Sequence, residues 1–282
     1  MNEKYSYWLD GNDALSKISA LEGKNQTSDY NYKLCLQWIN EGYIIVKNHF
    51  SHSELDLAWS EYEDKIKSSI IIPPVEGSDF NDPYPGRTLN PHFHVEGFRK
   101  IMSCSNLLDI IDLLLDVKPT PFQSIASHKG SQQKLHSDAI HMTTNPLGGL
   151  AAAWVAFEDI SIDSGPLVYC PTSHKLPYLL TRELSVDSKD FKLNGYTSYH
   201  QKYEPKIESI VKENNFKKEL FLAQKGDVLI WHHNLIHGGS LRNDYSISRK
   251  ALVAHYFDTK CHCYHDLSGD DADLLTSMKL FK

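Results

Sequence analysis

Two short stretches carry the chemistry of this chain. The first is His136-Ser137-Asp138; the second, His237-Gly238-Gly239-Ser240, begins 99 residues beyond that aspartate and leads to Arg249-Lys250-Ala251. A histidine and a carboxylate two apart, joined by a distant histidine, offer a metal two nitrogens and one oxygen and leave coordination positions open. That facial donor set suits the non-heme Fe(II) of an oxygenase. An arginine beyond the second histidine can clamp the far carboxylate of a keto-acid cosubstrate through two parallel hydrogen bonds.

The His-x-acid pattern alone is cheap: among 15 histidines and 36 acids, roughly two are expected by chance, and three occur. His52-Ser53-Glu54 is explained by a capping box, with Ser51 and Glu54 opening a helix. His94-Val95-Glu96 lies in a Gly/Pro/Asn-rich stretch with no strand to hold a ligand rigid. His232 and His233 precede His237 on one expected strand, where alternation places His233 on the face of His237. Four residues along a strand span roughly 13 Å, too far for one metal. His128, His141 and His174 read as structural or substrate-facing. Cys261, Cys263, His262 and His265 lack a second ligand pair at zinc-finger spacing and read as an incidental cluster.

Composition narrows the class. A 282-residue chain with 41% apolar and 23% charged residues is that of a globular protein. Five cysteines without framework spacing point to thiols in a reducing compartment. No apolar run long enough for a membrane span or a signal peptide is seen, so a cytoplasmic protein is expected. The net charge of −7 speaks against nucleic acid as a partner. A small-molecule substrate is expected; nothing in the sequence addresses oligomeric state.

The elements that must position these residues follow from periodicity. Residues 28–41 read as a helix with Leu34, Trp38 and Leu36 inward, ended by Gly42; Tyr43–Val46 reads as a strand and 53–69 as a second helix. Ser105 is expected to cap a third helix, which Pro119 and Pro121 end. From residue 122 the texture is β, with strands expected at 122–127, 150–157, 166–170, 227–231 and 250–257. One domain over 1–282 is expected: a helical layer to about 120, then a β-core over about 121–260. A polar insertion at about 177–219 reads equally as a lid or as solvated decoration. Mainly β with flanking helices, and short strands around a cavity, suggest a jelly roll of the cupin type.

In their order and spacing, GYIIVKNHFS (42–51), QQKLHSDAIH (132–141), AAWVAFEDI (152–160), SGPLVYCPTSHK (164–175), KGDVLIWHHNLIHGGS (225–240) and SRKALVAHYF (248–257) resemble the phytanoyl-CoA dioxygenase family of Fe(II)/2-oxoglutarate-dependent oxygenases. The resemblance implies a double-stranded β-helix with His136 and Asp138 at the end of one strand and His237 on another. It implies Fe(II), 2-oxoglutarate and O2 as cofactors and cosubstrates. Arg249 would hold the 2-oxoglutarate carboxylate, Ser240 would hydrogen-bond the same carboxylate, and Trp154 would line the cosubstrate pocket. Arg242 is the rival for the clamp. The activity implied is C–H hydroxylation of a small metabolite or biosynthetic intermediate with release of succinate and CO2. Because Asp138 is present, hydroxylation or a related two-electron oxidation is expected in preference to halogenation. Asp138 is also expected to have little structural role beyond the metal. Two alternatives stay open: a non-catalytic cupin-like binding protein, and another metal such as Zn(II) or Mn(II) doing hydrolytic or isomerase chemistry.

Overall fold

The structure, a computed structural model, describes residues 7–23, 27–74, 82–272 and 279–281. In chain order the N-terminal part gives α1 (Ala14–Gly23), α2 (Asp29–Glu41), β1 (Tyr43–Val46), α3 (His52–Lys67) and β2 (Thr88–Leu89). Then come α4 (Glu96–Met102), α5 (Ser105–Leu115), β3 (Pro119–Ser127), β4 (Thr143–Asn145), β5 (Leu150–Ala156) and β6 (Leu167–Tyr169). The remainder holds α6 (Ser188–Asn194), α7 (Glu204–Glu213), β7 (Glu219–Phe221), β8 (Val228–His232), β9 (His237–Gly239), β10 (Ala251–Asp258) and β11 (His262–Tyr264).

The helix boundaries have local causes. Ser28 accepts from the Asn31 amide to open α2, and Gly42 closes it at φ +79°, donating to Trp38 O. A side chain at Gly42 would also collide with the His174 ring, so only glycine serves there. Both halves of the Ser51/Glu54 capping box form at α3. Ser105 does not cap α5: Cys104 holds that position without a side-chain bond, and Ser105 is the first helical residue. Asp116, in the left-handed region, ends α5. Pro119 and Pro121 lie inside β3, at the end that β2 does not reach, where the β3–β10 register shifts between His255 and Tyr256. An unpartnered edge tolerates the missing proline N–H.

The frame is a six-stranded antiparallel sheet in the order β1-β8-β5-β10-β3-β2, faced by a three-stranded sheet, β7-β6-β9. This is the jelly-roll arrangement expected. The major sheet is covered on both faces, and its strands divide their side chains strictly by alternation. Ala151, Ala153 and Val155 of β5, Val228 and Ile230 of β8, and Leu252, Ala254 and Tyr256 of β10 join the helices in one core. Ala152, Trp154, Leu229, Trp231 and Ala251 point the other way, toward β6 and β7. The cavity opens on that second side. No helix among the described residues is long and apolar enough to cross a membrane.

Two histidines are locked into the helix-side packing. His92 bonds Ser124 Oγ through Nδ1 at 2.6 Å, and His128 packs against Trp59 and Tyr62. Burial pushes both down to about 4. The unfolded chain takes up these protons near pH 6.5, whereas the folded chain refuses them until about 4. Their contribution is therefore complete above pH 6.5 and is lost as pH falls toward 4, at about 1.4 kcal/mol per pH unit for each histidine. Thermal melts should show a drop in Tm between pH 7 and pH 5, and His128→Gln should flatten that drop. An unchanged profile in the variant would remove His128 from this account.

Candidate metal centre

The site begins with a backbone bridge. His136 and His237 exchange hydrogen bonds, His136 N to His237 O at 2.9 Å and His237 N to His136 O at 2.8 Å, which sets the two rings 4.5 Å apart. The Gly-Gly pair makes this possible. A Cβ on Gly238 would lie 2.7 Å from Gln133 O, so the 131–135 segment runs against β9 only because that strand lacks side chains. Asp138 opens a short 3-10 turn, Asp138–Ile140, rather than ending a strand.

Ligand atoms of His136, Asp138 and His237 all lie within 4.8 Å of one another, the one such group of three among the described residues. Each histidine is oriented from behind. His136 Nδ1 donates to Lys134 O (2.8 Å) and His237 Nδ1 to Leu235 O (2.9 Å), leaving both Nε2 atoms as donors to a cation. Asp138 Oδ1 stands 3.4 Å from His237 Nε2 and 3.9 Å from His136 Nε2.

Asp138 Oδ2 is held as well. Trp231 Nε1 donates to it at 2.8 Å, and His255 Nε2 lies 3.7 Å away. Burial opposes charge on Asp138, yet His237, with His255 in support, holds its carboxyl well below the usual carboxylate range. Burial would likewise lower His237, but the Asp138 carboxylate raises it; His136, with burial dominant and His237 beside it, is pushed well below its ordinary value. A buried N,N,O donor set with the nitrogens aimed inward fits a divalent first-row cation.

Arg249 lines the same cavity. It is buried, its Nη1 donates to Gly165 O at 3.3 Å, its Nε has no hydrogen-bond partner, and its guanidinium sits 5.5 Å over the Trp154 ring. Burial, then Arg87 and Arg242, pushes it down to about 10, so it remains charged at neutral pH. No carboxylate pairs with it among the described residues. A buried guanidinium without a counter-ion beside a metal cluster fits an anionic group entering the cavity. Trp154 lines the same cavity.

Three expectations need correction, those for Ser240, Asp138 and His233. Ser240 does not reach the cavity: its N–H and hydroxyl both donate to Pro166 O, at 3.0 and 2.9 Å, and it borders a separate surface groove. Asp138 does have a structural role, since it is the acceptor for the buried Trp231 N–H. Arg242 is no rival clamp, because it is engaged by Asp82, Nη1 to Oδ2 at 2.5 Å. His233 is not on the strand of His237; β8 ends at His232, and His233 packs on Tyr178 in the turn that follows. His94 and Glu96 are outside the cavity, with Glu96 paired to Lys100. Cys261 and His262 bond Tyr7 and Asp271 instead of a shared ion.

The sequence reading passed over Arg87, Gln133, Trp231 and His255, all of which line the cavity. His255 was findable: with Arg249, Ala251 and Val253 it continues a period-two series. The 177–219 segment also touches this site. Tyr203, fully buried and reached from the 177–219 segment, accepts from the Ser137 amide at 2.9 Å and contacts Ser137 Oγ at 3.2 Å, between two of the candidate ligands.

The family model for phytanoyl-CoA dioxygenase matches residues 39–251. The chain belongs to the phytanoyl-CoA dioxygenase family. Among its relatives, the peroxisomal phytanoyl-CoA dioxygenase of Bos taurus is 29% identical over 166 residues, 58% of this chain and 43% of the relative. Phytanoyl-CoA dioxygenase domain-containing protein 1 of Danio rerio is 24% identical over 176 residues, 60% and 55% of the two chains. The matched region thus spans about half the length of these family members. Among solved structures, the non-heme α-ketoglutarate-dependent carbocyclase SnoK from nogalamycin biosynthesis superposes with a TM-score of 0.63 at 15% identity, covering 88% of this chain and 94% of that one. EctD from S. alaskensis with bound Fe gives a TM-score of 0.63 at 14% identity, covering 88% and 83%. These structural likenesses establish the fold that this family member shares with both.

Two substitutions probe the centre. Asp138→Ala should abolish metal binding and also lower apo-protein stability by about 1–3 kcal/mol, because Trp231 Nε1 is left buried without an acceptor. Asp138→Asn keeps an acceptor oxygen and should lose less; equal melting of the two metal-free variants would show the Trp231 bond to be irrelevant. Tyr203→Phe strands the Ser137 amide and should raise the metal Kd by about tenfold, as calorimetric titration would measure. Unchanged affinity would make the insertion a bystander.

Proposed function

We propose that this chain is an Fe(II)- and 2-oxoglutarate-dependent dioxygenase that hydroxylates a C–H bond of a small metabolite or biosynthetic intermediate, releasing succinate and CO2. The observation that carries the reading is the charged, buried Arg249 without a carboxylate partner in the cavity of a two-histidine, one-carboxylate cluster. Bound Fe(II) would supply the activation of O2 that couples oxidative decarboxylation of 2-oxoglutarate to C–H oxidation.

The chain's own residues do the rest. His136, Asp138 and His237 would hold the ion. Arg249 receives the far carboxylate of 2-oxoglutarate, with Trp154 as the wall beneath it. Leu167, Ile125 and Val253 give the cavity apolar surface that keeps water from the reacting carbon. Residues 177–219 are fastened through Tyr203 to the loop that carries His136 and Asp138 and steady it. The intact carboxylate at Asp138 favours hydroxylation over chemistry that needs a further vacant position at the metal.

Iron-loaded protein given 2-oxoglutarate and O2 should release succinate, and failure to do so with a folded, iron-replete sample overturns the reading. Arg249→Ala should raise the 2-oxoglutarate Kd by roughly thirtyfold or more, the lower end of the about 2–5 kcal/mol lost when one partner of a desolvated charge pair is removed. Metal affinity should be unchanged. Arg242→Ala should leave 2-oxoglutarate binding near wild type, and the opposite ranking would move the clamp to Arg242.

A further inference from the structure

Beside His136 lie three polar side chains whose bonding capacity the protein uses only in part. Gln133 is the first. Arg87 Nη1 donates to its Oε1 at 2.7 Å, and since a guanidinium only donates, that contact fixes which end of the amide is oxygen. The NH2 end is thereby turned toward the metal cluster, 3.2 Å from His136 Nε2. Once a cation occupies that nitrogen, the Gln133 donor loses its acceptor while Arg87 still prevents it from flipping. His141 is the second: its ring lies 5.4 Å from that of His136, and its buried Nε2 has no hydrogen-bond partner. Tyr199 is the third, 4% exposed, its ring 5.0 Å from His141 and its buried hydroxyl also without a partner. Gln133 and His141 both meet the His136 ring, and Tyr199 meets His141, which brings the three groups together beside that histidine.

The buried, unbonded polar groups of His141 and Tyr199 each cost about 1–3 kcal/mol, and Gln133 Nε2 joins them when its acceptor, His136 Nε2, is taken by a cation. We infer that Gln133, His141 and Tyr199 form a recognition subsite for an oxygen substituent of the substrate, a hydroxyl or carbonyl close to the C–H bond presented to the metal. Gln133 N–H and Tyr199 O–H donate to that oxygen, and His141 Nε2 completes its shell as donor or acceptor according to tautomer. A substrate that is plain hydrocarbon around its reacting carbon leaves all three unsatisfied and is discriminated against, in the way that a site built for a hydroxyl rejects the analogue lacking it. The subsite thus selects small oxygenated metabolites. This rests on the oxygenase reading only for where the reacting carbon lies.

The test uses full-length protein loaded with Ni(II) and 2-oxoglutarate, which binds without turning over. Matched probes are titrated by calorimetry: butyrate against 3-hydroxybutyrate, and hexanoate against 3-hydroxyhexanoate, so that the carboxylate is common to each pair and cancels. The hydroxy member should bind at least tenfold tighter, and Tyr199→Phe combined with Gln133→Leu should reduce that preference below twofold. Metal affinity within twofold of wild type in the double variant verifies its fold. A crystal structure of the loaded wild type should place an ordered oxygen, of water or probe, on Gln133 Nε2 and Tyr199 Oη. Equal or absent binding of the paired probes, a preference that survives the double variant, or Gln133 Nε2 bonded to 2-oxoglutarate overturns the subsite. Absence of succinate in the Fe(II) assay, with the probe preference intact, would instead overturn the oxygenase reading and leave the subsite standing.

Discussion

The reciprocal backbone bridge between His136 and His237 is the constraint on which the rest depends. Two peptide hydrogen bonds bring together residues about a hundred positions apart and fix both rings before any metal arrives. Each ring is then held by a carbonyl two residues upstream in its own chain, Lys134 O or Leu235 O. Preorganisation of this kind spares the cation the entropy of gathering its ligands. It also explains the company that His237 keeps. Only glycine at 238 allows the 131–135 segment to lie close enough for the bridge to form.

Charge placement follows from the same enclosure. The cavity buries Asp138, two candidate ligand histidines, His255 and Arg249 in a space where each charge interacts strongly with the next. Asp138 is satisfied from three directions, whereas Arg249 has only a carbonyl and an aromatic face. The imbalance gives the cavity a direction: a carboxylate and imidazole cluster at one end, an unpaired guanidinium at the other, and apolar side chains between. The major sheet supports this polarity because its alternation sends every second side chain into the helical core, which keeps the cavity wall rigid.

Much of this was legible in residues 132–141 and 225–257. Metal-ligand spacing, the arginine after the second histidine and the long buried strands all leave local marks in sequence. Ser240 was misplaced because proximity in sequence to His237 says nothing about which carbonyl its hydroxyl will meet; Pro166 O, 74 residues away, claims both its polar hydrogens. The expected strand through His233 failed because alternation was extended beyond His232, where the chain turns. β2, β4, β7 and β9 are two or three residues long and carry no periodicity to read. Arg87 and Gln133 meet only through tertiary packing, so no pattern in either segment announces them. His255, by contrast, was in plain sight along β10.

Tyr203 gives the insertion a different standing from an ordinary surface loop. Its hydroxyl is the acceptor of a peptide amide lying between His136 and Asp138, so the segment and the metal loop share a bond that neither can surrender alone. Grafting another segment in place of residues 177–219 would orphan that amide even if every metal ligand were kept. The two pieces therefore behave as one mechanical unit, and a replacement segment would have to bring a hydroxyl to the place of Tyr203 Oη.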